Sequence, residues 1–355
     1  MNKIGKHNKS ESCLSNAEQL LELARDWMKQ GNTNVAYQLL QDANRSKEIE
    51  KNKVIKGEIS KEIGRVFMST GNWEQAENAY RRATEIFLEQ EYYKGAAEST
   101  RNLANLKFQK GQFNDSNSLC EQAIAWATNS GDFQLRATIF NTQGAIHSIE
   151  GRQRESIKTL NLCLSDFRRA GNSLRQAYVE HNIGLAYLEL DDPTEAKKSL
   201  EGALAKALEN TDINLVEMCY QNIAKVYIKL KDFVSARSLI RTARELLDNL
   251  KSPNLEADLN VIEAECLRFS GDFDRADDLL NKALTIARKA DLLQNEAEIL
   301  FEAGQVAFER GDFNLGRSRV EAAIELFKKT GGGQINKAIE KLKYFEFVAK
   351  KGNKG

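Results

Sequence analysis

Apolar and polar positions along the chain repeat in blocks of forty residues. Small residues recur at Ala24, Gly64, Ala104, Gly144, Gly184, Ala224, Ala264 and Gly304, and large apolar ones sixteen places later, at Leu40, Tyr80, Cys120, Leu160, Leu200, Ile240, Leu280 and Val320. Two more small series flank the large one, Ala36, Ala76, Ser116, Ser156, Ala196, Ala236, Ala276, Gly316 and Ala43, Ala83, Ala123, Cys163, Ala203, Ala243, Ala283, Ala323. Small side chains let antiparallel helices approach closely, so each block predicts one helix pair facing the same packing problem as its neighbours.

The blocks are punctuated at the same spacing by Gly31-Asn32, Gly71-Asn72-Trp73, Gly111-Gln112-Phe113, Gly151-Arg152, Asp191-Asp192, Lys231-Asp232-Phe233, Gly271-Asp272-Phe273 and Gly311-Asp312-Phe313. Glycine closes a helix in the left-handed conformation, and the Asp or Asn after it can cap the next one. A second set of breaks falls midway, at Ser130-Gly131-Asp132, Ala170-Gly171-Asn172, Asn210-Thr211-Asp212, Lys251-Ser252-Pro253 and Thr330-Gly331. Turns about every twenty residues predict helices of roughly 16 to 18 residues, about 25 Å long.

This order of small and large residues around Gly-Asp/Asn-aromatic turns resembles the tetratricopeptide repeat (TPR), across residues 12–330. The expected fold is all-α, a right-handed α-solenoid of eight antiparallel helix pairs. The period of forty exceeds the usual 34, which is similar to the long-helix arrays of polarity adaptors, kinesin light chains and quorum-sensing receptors. The resemblance implies that the chain binds another protein or peptide, with the first helix of each pair lining a concave groove.

Positions around each small residue of the first helix then face that groove: Lys61, Arg101, Asn141, His181 and Gln221 three before it, Asn102, Asn182 and Asn222 two before, and Arg65, Asn105 and Lys225 one after. An Asn side chain carries a donor and an acceptor, matching the backbone amide of an extended peptide whatever its sequence, while Arg65, Arg101 and Lys225 suit a carboxylate. An acidic segment or a free C-terminus is the expected ligand, against the alternative that these residues form an ordinary solvated face. His181 is read as a neutral histidine holding a hydrogen bond, with a pH-sensitive contact as the alternative. Val261, Phe301 and Ala303 at the equivalent later positions predict that the polar character fades toward the C-terminus.

Residues 1–11 are polar and unpatterned and read as a tail, as do 351–355. After Gly331-Gly332-Gly333, residues Ile335, Ile339, Leu342, Phe345 and Val348 describe an amphipathic helix over 334–350, expected to cap the last repeat. Tyr344 and Phe347 widen its apolar face, which makes self-association or docking through this helix its alternative use. Eight Lys against two Glu from residue 328 onward make the end basic, read as a solvated tail.

Composition narrows the function. Lys plus Arg and Asp plus Glu both total 51, leaving no global field for nucleic acid or an anionic membrane. Charged residues are 29% and Pro numbers two, which suits long solvated helices. No apolar run is long enough for a membrane helix and MNKIGKHNKS lacks a signal-peptide core, so a cytoplasmic location is expected. Cys13, Cys120, Cys163, Cys219 and Cys266 form no Cys-x-x-Cys pair and read as reduced core thiols. With three histidines and no phosphate-loop, dinucleotide-binding or His-Glu-x-x-His motif, neither an enzyme nor a metal or cofactor site is expected. The expected function is an adaptor holding an extended segment of a partner. The alternatives are a regulatory receptor for a signalling peptide, opposed by repeats that begin near residue 12 and leave no room for an output bundle, and an accessory scaffold subunit using its convex face or C-terminal helix.

Overall fold

A computed structural model describes residues 15–247, 253–330 and 334–352. The chain forms two compact units, 1–172 and 173–355. In the first, α1 (Asn16–Lys29) pairs with α2 (Thr33–Arg45), α3 (Lys53–Ser69) with α4 (Trp73–Glu89), α5 (Tyr93–Gln109) with α6 (Phe113–Ser130) and α7 (Phe133–Ile149) with α8 (Gln153–Arg169). In the second, α9 (Ser173–Glu189) pairs with α10 (Pro193–Glu209), α11 (Ile213–Lys229) with α12 (Phe233–Leu247), α13 (Pro253–Phe269) with α14 (Phe273–Lys289) and α15 (Leu293–Arg310) with α16 (Phe313–Thr330), and α17 (Ile335–Gly352) follows. No strand occurs among the described residues. The expected tail 1–11, Cys13, the triple glycine and the last three residues lie outside them.

The recurring series form the core. Gly64, Gly144, Gly184 and Gly304 lie against Tyr80, Leu160, Leu200 and Val320, each on the partner helix of its pair, so tightly that an added Cβ would stand 2.6 to 2.8 Å from those side chains. Ser116 and Ser156 donate to the carbonyls of Ala104 and Gly144, both at 2.8 Å, which lets a small polar residue occupy a buried site at no cost in unmet hydrogen bonding. Within each unit the first helices of successive pairs also touch one another.

The first pair departs from the expected length. Its helices have 14 and 13 residues, and Ser46 caps a 3₁₀ turn, Lys47–Glu50, that buries Ile49 before Asn52 caps α3. The turns depart as well. Asp132, Asp192, Asp212, Asp232, Asp272 and Asp312 each accept the amide three residues on, whereas Asn32 and Asn72 make no such bond. A carboxylate is drawn to the positive end of the helix dipole and a neutral amide much less, and Asn72 instead donates to the Thr70 hydroxyl at 3.0 Å. Left-handed backbone also occurs at Glu91, Asp191, Thr211, Lys231 and Asp291, without glycine.

Helix α17 packs on α16 and reaches back to α15, where the Phe345 ring stacks on Phe308 with centroids 3.7 Å apart. Ala338 and Phe345 are buried, while Tyr344 and Phe347 are exposed. Cys120, Cys163, Cys219 and Cys266 are buried free thiols, each pushed up to about 12 by burial, so none is a ready nucleophile.

Candidate functional site

Adjacent first helices are joined by polar rungs with a fixed sequence offset. A forty-residue repeat carries one helix onto the next, and side chains that meet one turn back along the neighbour lie 37 residues apart. Arg25 donates to Glu62 at 3.0 Å, Lys61 bonds Glu98, Thr142 donates to Asn105 at 3.4 Å, and Gln221 and Asn295 both donate to Asp258, at 3.1 and 2.7 Å. These rungs decide which polar residues of the face remain available.

In the first unit, Lys61 is buried, with its ammonium on Glu58 at 2.9 Å as well as on Glu98. Burial works against its charge, but the two carboxylates outweigh it and hold the pKa above the ordinary lysine value. It is a strut between α3 and α5. Arg65 is exposed and leans on Glu62 at 2.8 Å. Arg101 is half-buried, donates through Nη2 to the Asn102 Oδ1 at 3.1 Å, and has an Nε without a hydrogen-bond partner. Asn102, Asn105 and Asn141 are all half-buried at successive rungs on α5 and α7.

In the second unit, His181 is buried and its neutral form is favoured by burial. The amide nitrogen of Asn222 donates to its Nε2 at 3.1 Å and to the Met218 carbonyl at 2.8 Å. An amide nitrogen has no lone pair to offer, so Nε2 is the acceptor and the ring proton sits on Nδ1. His181 thus bridges α9 and α11. Asn182 and Gln221 are half-buried and Lys225 is exposed.

The later helices are richer in charge than the sequence suggested. Val261, Phe301 and Ala303 are apolar, but neighbouring positions carry Asp258, Glu265, Glu298, Glu302 and Glu309. Arg268, itself buried, bonds Glu302 at 2.6 Å and Glu309 at 2.7 Å, and Gln305 donates to Glu302 at 2.7 Å. Burial pushes the Asp258 carboxyl up to about 6, with Glu298 adding to the rise and Lys225 opposing it. Glu265 is raised too, by burial and by Glu302. The polar character therefore changes sign instead of fading. The signal was the 37-residue offset, which pairs Lys61 with Glu98 and Gln221 with Asp258 and is invisible when each helix is read alone.

Among the described residues no group of His, Cys, Asp and Glu is arranged to hold a metal ion, and no helix is long and apolar enough to cross a membrane.

The family described as Tetratricopeptide repeat matches residues 61–86 and again residues 181–205. No curated protein matches the sequence. Among solved structures the fold is similar to that of apo RapI, at 16% identity and a TM-score of 0.70 over 90% of this chain and 100% of that one. It is also similar to the apo quorum sensor NprR from B. thuringiensis, at 14% identity and a TM-score of 0.67 over 89% and 90%. A Rap protein complexed with Competence and Sporulation Factor matches at 12% identity and a TM-score of 0.54 over 94% and 98%. Helix pairs repeating every forty residues, two direct family matches and these folds together make the chain a tetratricopeptide-repeat protein.

Proposed function

We propose that the chain is a non-catalytic cytosolic adaptor that holds an extended peptide segment of a partner protein against the first-helix face. The observation that carries this reading is the run of half-buried amide side chains, Asn102, Asn105, Asn141, Asn182, Gln221 and Asn222, on first helices of successive pairs. Asn102 commits its carbonyl oxygen to Arg101, and Asn222 commits its nitrogen to His181 and Met218. Each keeps the other half of its amide for a peptide backbone, and half-burial lets the bond form away from competing water. Arg65 and Lys225, both exposed, supply attraction for an acidic or C-terminal segment, whereas Lys61 and His181 support the face from beneath.

The test is affinity capture from the native host's lysate with wild type and with the Asn102→Ala, Asn182→Ala, Asn222→Ala triple variant, bound chains being identified by mass spectrometry. A partner captured by wild type alone supports the adaptor. A partner captured equally by both moves the site elsewhere, with the exposed Tyr344 and Phe347 of α17 as the first place to look, for a scaffold contact or for self-association.

A second reading, a regulatory receptor for a short signalling peptide, is favoured by the likeness to RapI, which extends over all of that chain. It differs in one measurable respect: the ligand would be a free oligopeptide that alters the conformation of the protein.

A further inference from the structure

The cations around Arg101 are all matched by carboxylates. Arg25, Lys61 and Arg65 share Glu58, Glu62 and Glu98, three against three, and Lys94 pairs with Asp132 at 2.9 Å. Arg101, next along the same face, has no carboxylate within ion-pairing distance among the described residues, and its neighbour Arg65 adds repulsion. Burial and that neighbour together make its charged form less favourable than an ordinary arginine's. A guanidinium that is half-buried, with a hydrogen-bond donor unmet, is short of an anion.

Beside it lies a cleft of about 360 Å³ between α5 and α7, lined by Lys94, Glu98, Arg101, Asp132, Leu135 and Thr138. That volume lies toward the small end of ligand-pocket sizes. Within its lining, Glu98 is held by Lys61 and Asp132 by Lys94 and by the Leu135 amide, so both carboxylates are already neutralised. Leu135 gives an apolar wall against which the methylenes of an acidic side chain or the last residue of a chain can rest.

We infer that Arg101 is the anchor for a carboxylate of the bound peptide, seated in this cleft. The inference rests on the adaptor reading and assigns its acidic recognition to one residue. Arg65 is engaged by Glu62 and so is secondary. Lys225, flanked by Asp258 and Glu265, faces a field already negative. A planar fork of donors grips a carboxylate through two bonds, which a lysine at the same place would not reproduce.

The experiment selects peptides from an N-acetylated random octapeptide pool on the immobilised full-length chain, with one half of the pool amidated at its C-terminus. Wild type, Arg101→Gln, Arg101→Lys and the triple Asn variant are run in parallel. Wild type should enrich carboxylate-bearing peptides at least tenfold over the rest, Arg101→Gln should lose that preference, and Arg101→Lys should keep a reduced one. A preference confined to the free-ended half makes the C-terminus the source, and one that persists for Asp or Glu at a fixed place in the amidated half makes it a side chain. Either result supports the anchor.

Enrichment by wild type that ignores carboxylates, or that Arg101→Gln leaves unchanged while the triple Asn variant loses it, overturns the anchor and spares the adaptor reading. Capture of no peptide by wild type overturns both. The melting temperature of Arg101→Gln should equal or exceed that of wild type, because an uncompensated charge has gone. A fall of several degrees would make Arg101 a structural strut and overturn the inference.

Discussion

Gly184 on α9 lies so near Leu200 on α10 that an added Cβ would stand 2.6 Å from the leucine Cγ and 3.3 Å from the Ala196 carbonyl oxygen. The approach sets how close the two backbones come, and the same contact recurs at Gly64 with Tyr80 and Gly144 with Leu160. In a stack where each pair touches only its neighbours, damage at one contact should stay local.

Gly184→Leu is therefore expected to destabilise the second unit by about 1–3 kcal/mol, the usual cost of forcing a larger side chain into a packed core. Hydrogen exchange followed by mass spectrometry should speed up first in 173–209, with α3 to α6 protected as in wild type. Equal acceleration in both units would mean that the array melts as one cooperative body.

Thr211 is a β-branched residue at φ +54°, a conformation in which its Cβ crowds the following carbonyl. Thr211→Gly removes that strain, of order 1–2 kcal/mol, at the expense of about half as much in unfolded-chain entropy. The variant should gain roughly 0.5–1 kcal/mol in urea titration with an unchanged slope. A loss of stability would show that the turn is held by contacts of the threonine side chain.

Lys61 offers the complementary case. Lys61→Met leaves Glu58 and Glu98 without the ammonium that binds both, and a broken buried pair costs about 3–5 kcal/mol. Glu58 still holds Arg25, and Glu98 is partly open to water, so about 1–3 kcal/mol is expected here. Adding Glu98→Gln should recover part of the loss. If the double variant is no better than the single one, Lys61 acts through its packing on the Phe87 ring, 5.8 Å away.

The repeating architecture was legible because its determinants are local. Gly71 or Asp272 announces a helix end by its own chemistry, and the alternation of Gly184 with Leu200 announces a helix pair. The turns at Glu91 and Asp291 were not legible, since nothing in a glutamate or a tryptophan-free Asp-Leu step demands left-handed backbone; tertiary packing imposes it. The polar face was legible in position and not in role. Lys61 and His181 look like any other groove-facing residues within their own helices, and what removes them to the interior, Glu98 and Asn222, lies 37 and 41 residues away. Arg101 occupies the same register as Lys61, yet 37 residues on it meets Thr138 instead of a carboxylate. That difference separates a strut from an exposed charge requirement.

Asp258 ties α11 to α13 and α13 to α15 through Gln221 and Asn295, and its carboxyl titrates near 6 instead of the ordinary 3.8. Because the folded pKa is the higher one, the folded protein binds this proton more tightly than the unfolded chain does, so stability falls as pH rises from about 4 to about 6 and the penalty is complete above that. A shift of about two units is worth at most about 3 kcal/mol, and water along the face reduces it to about 1–2. Asp258→Asn keeps the shape and removes the charge, and Gln221 and Asn295 can each turn an amide oxygen toward the new donor. The variant should be more stable than wild type at pH 7.5, with the difference shrinking toward zero at pH 4.5, as read from urea midpoints. A difference that stays constant with pH would show that the aspartate is stabilised by Lys225 as fully as burial penalises it, and that Glu217 and Glu298 do not press on it.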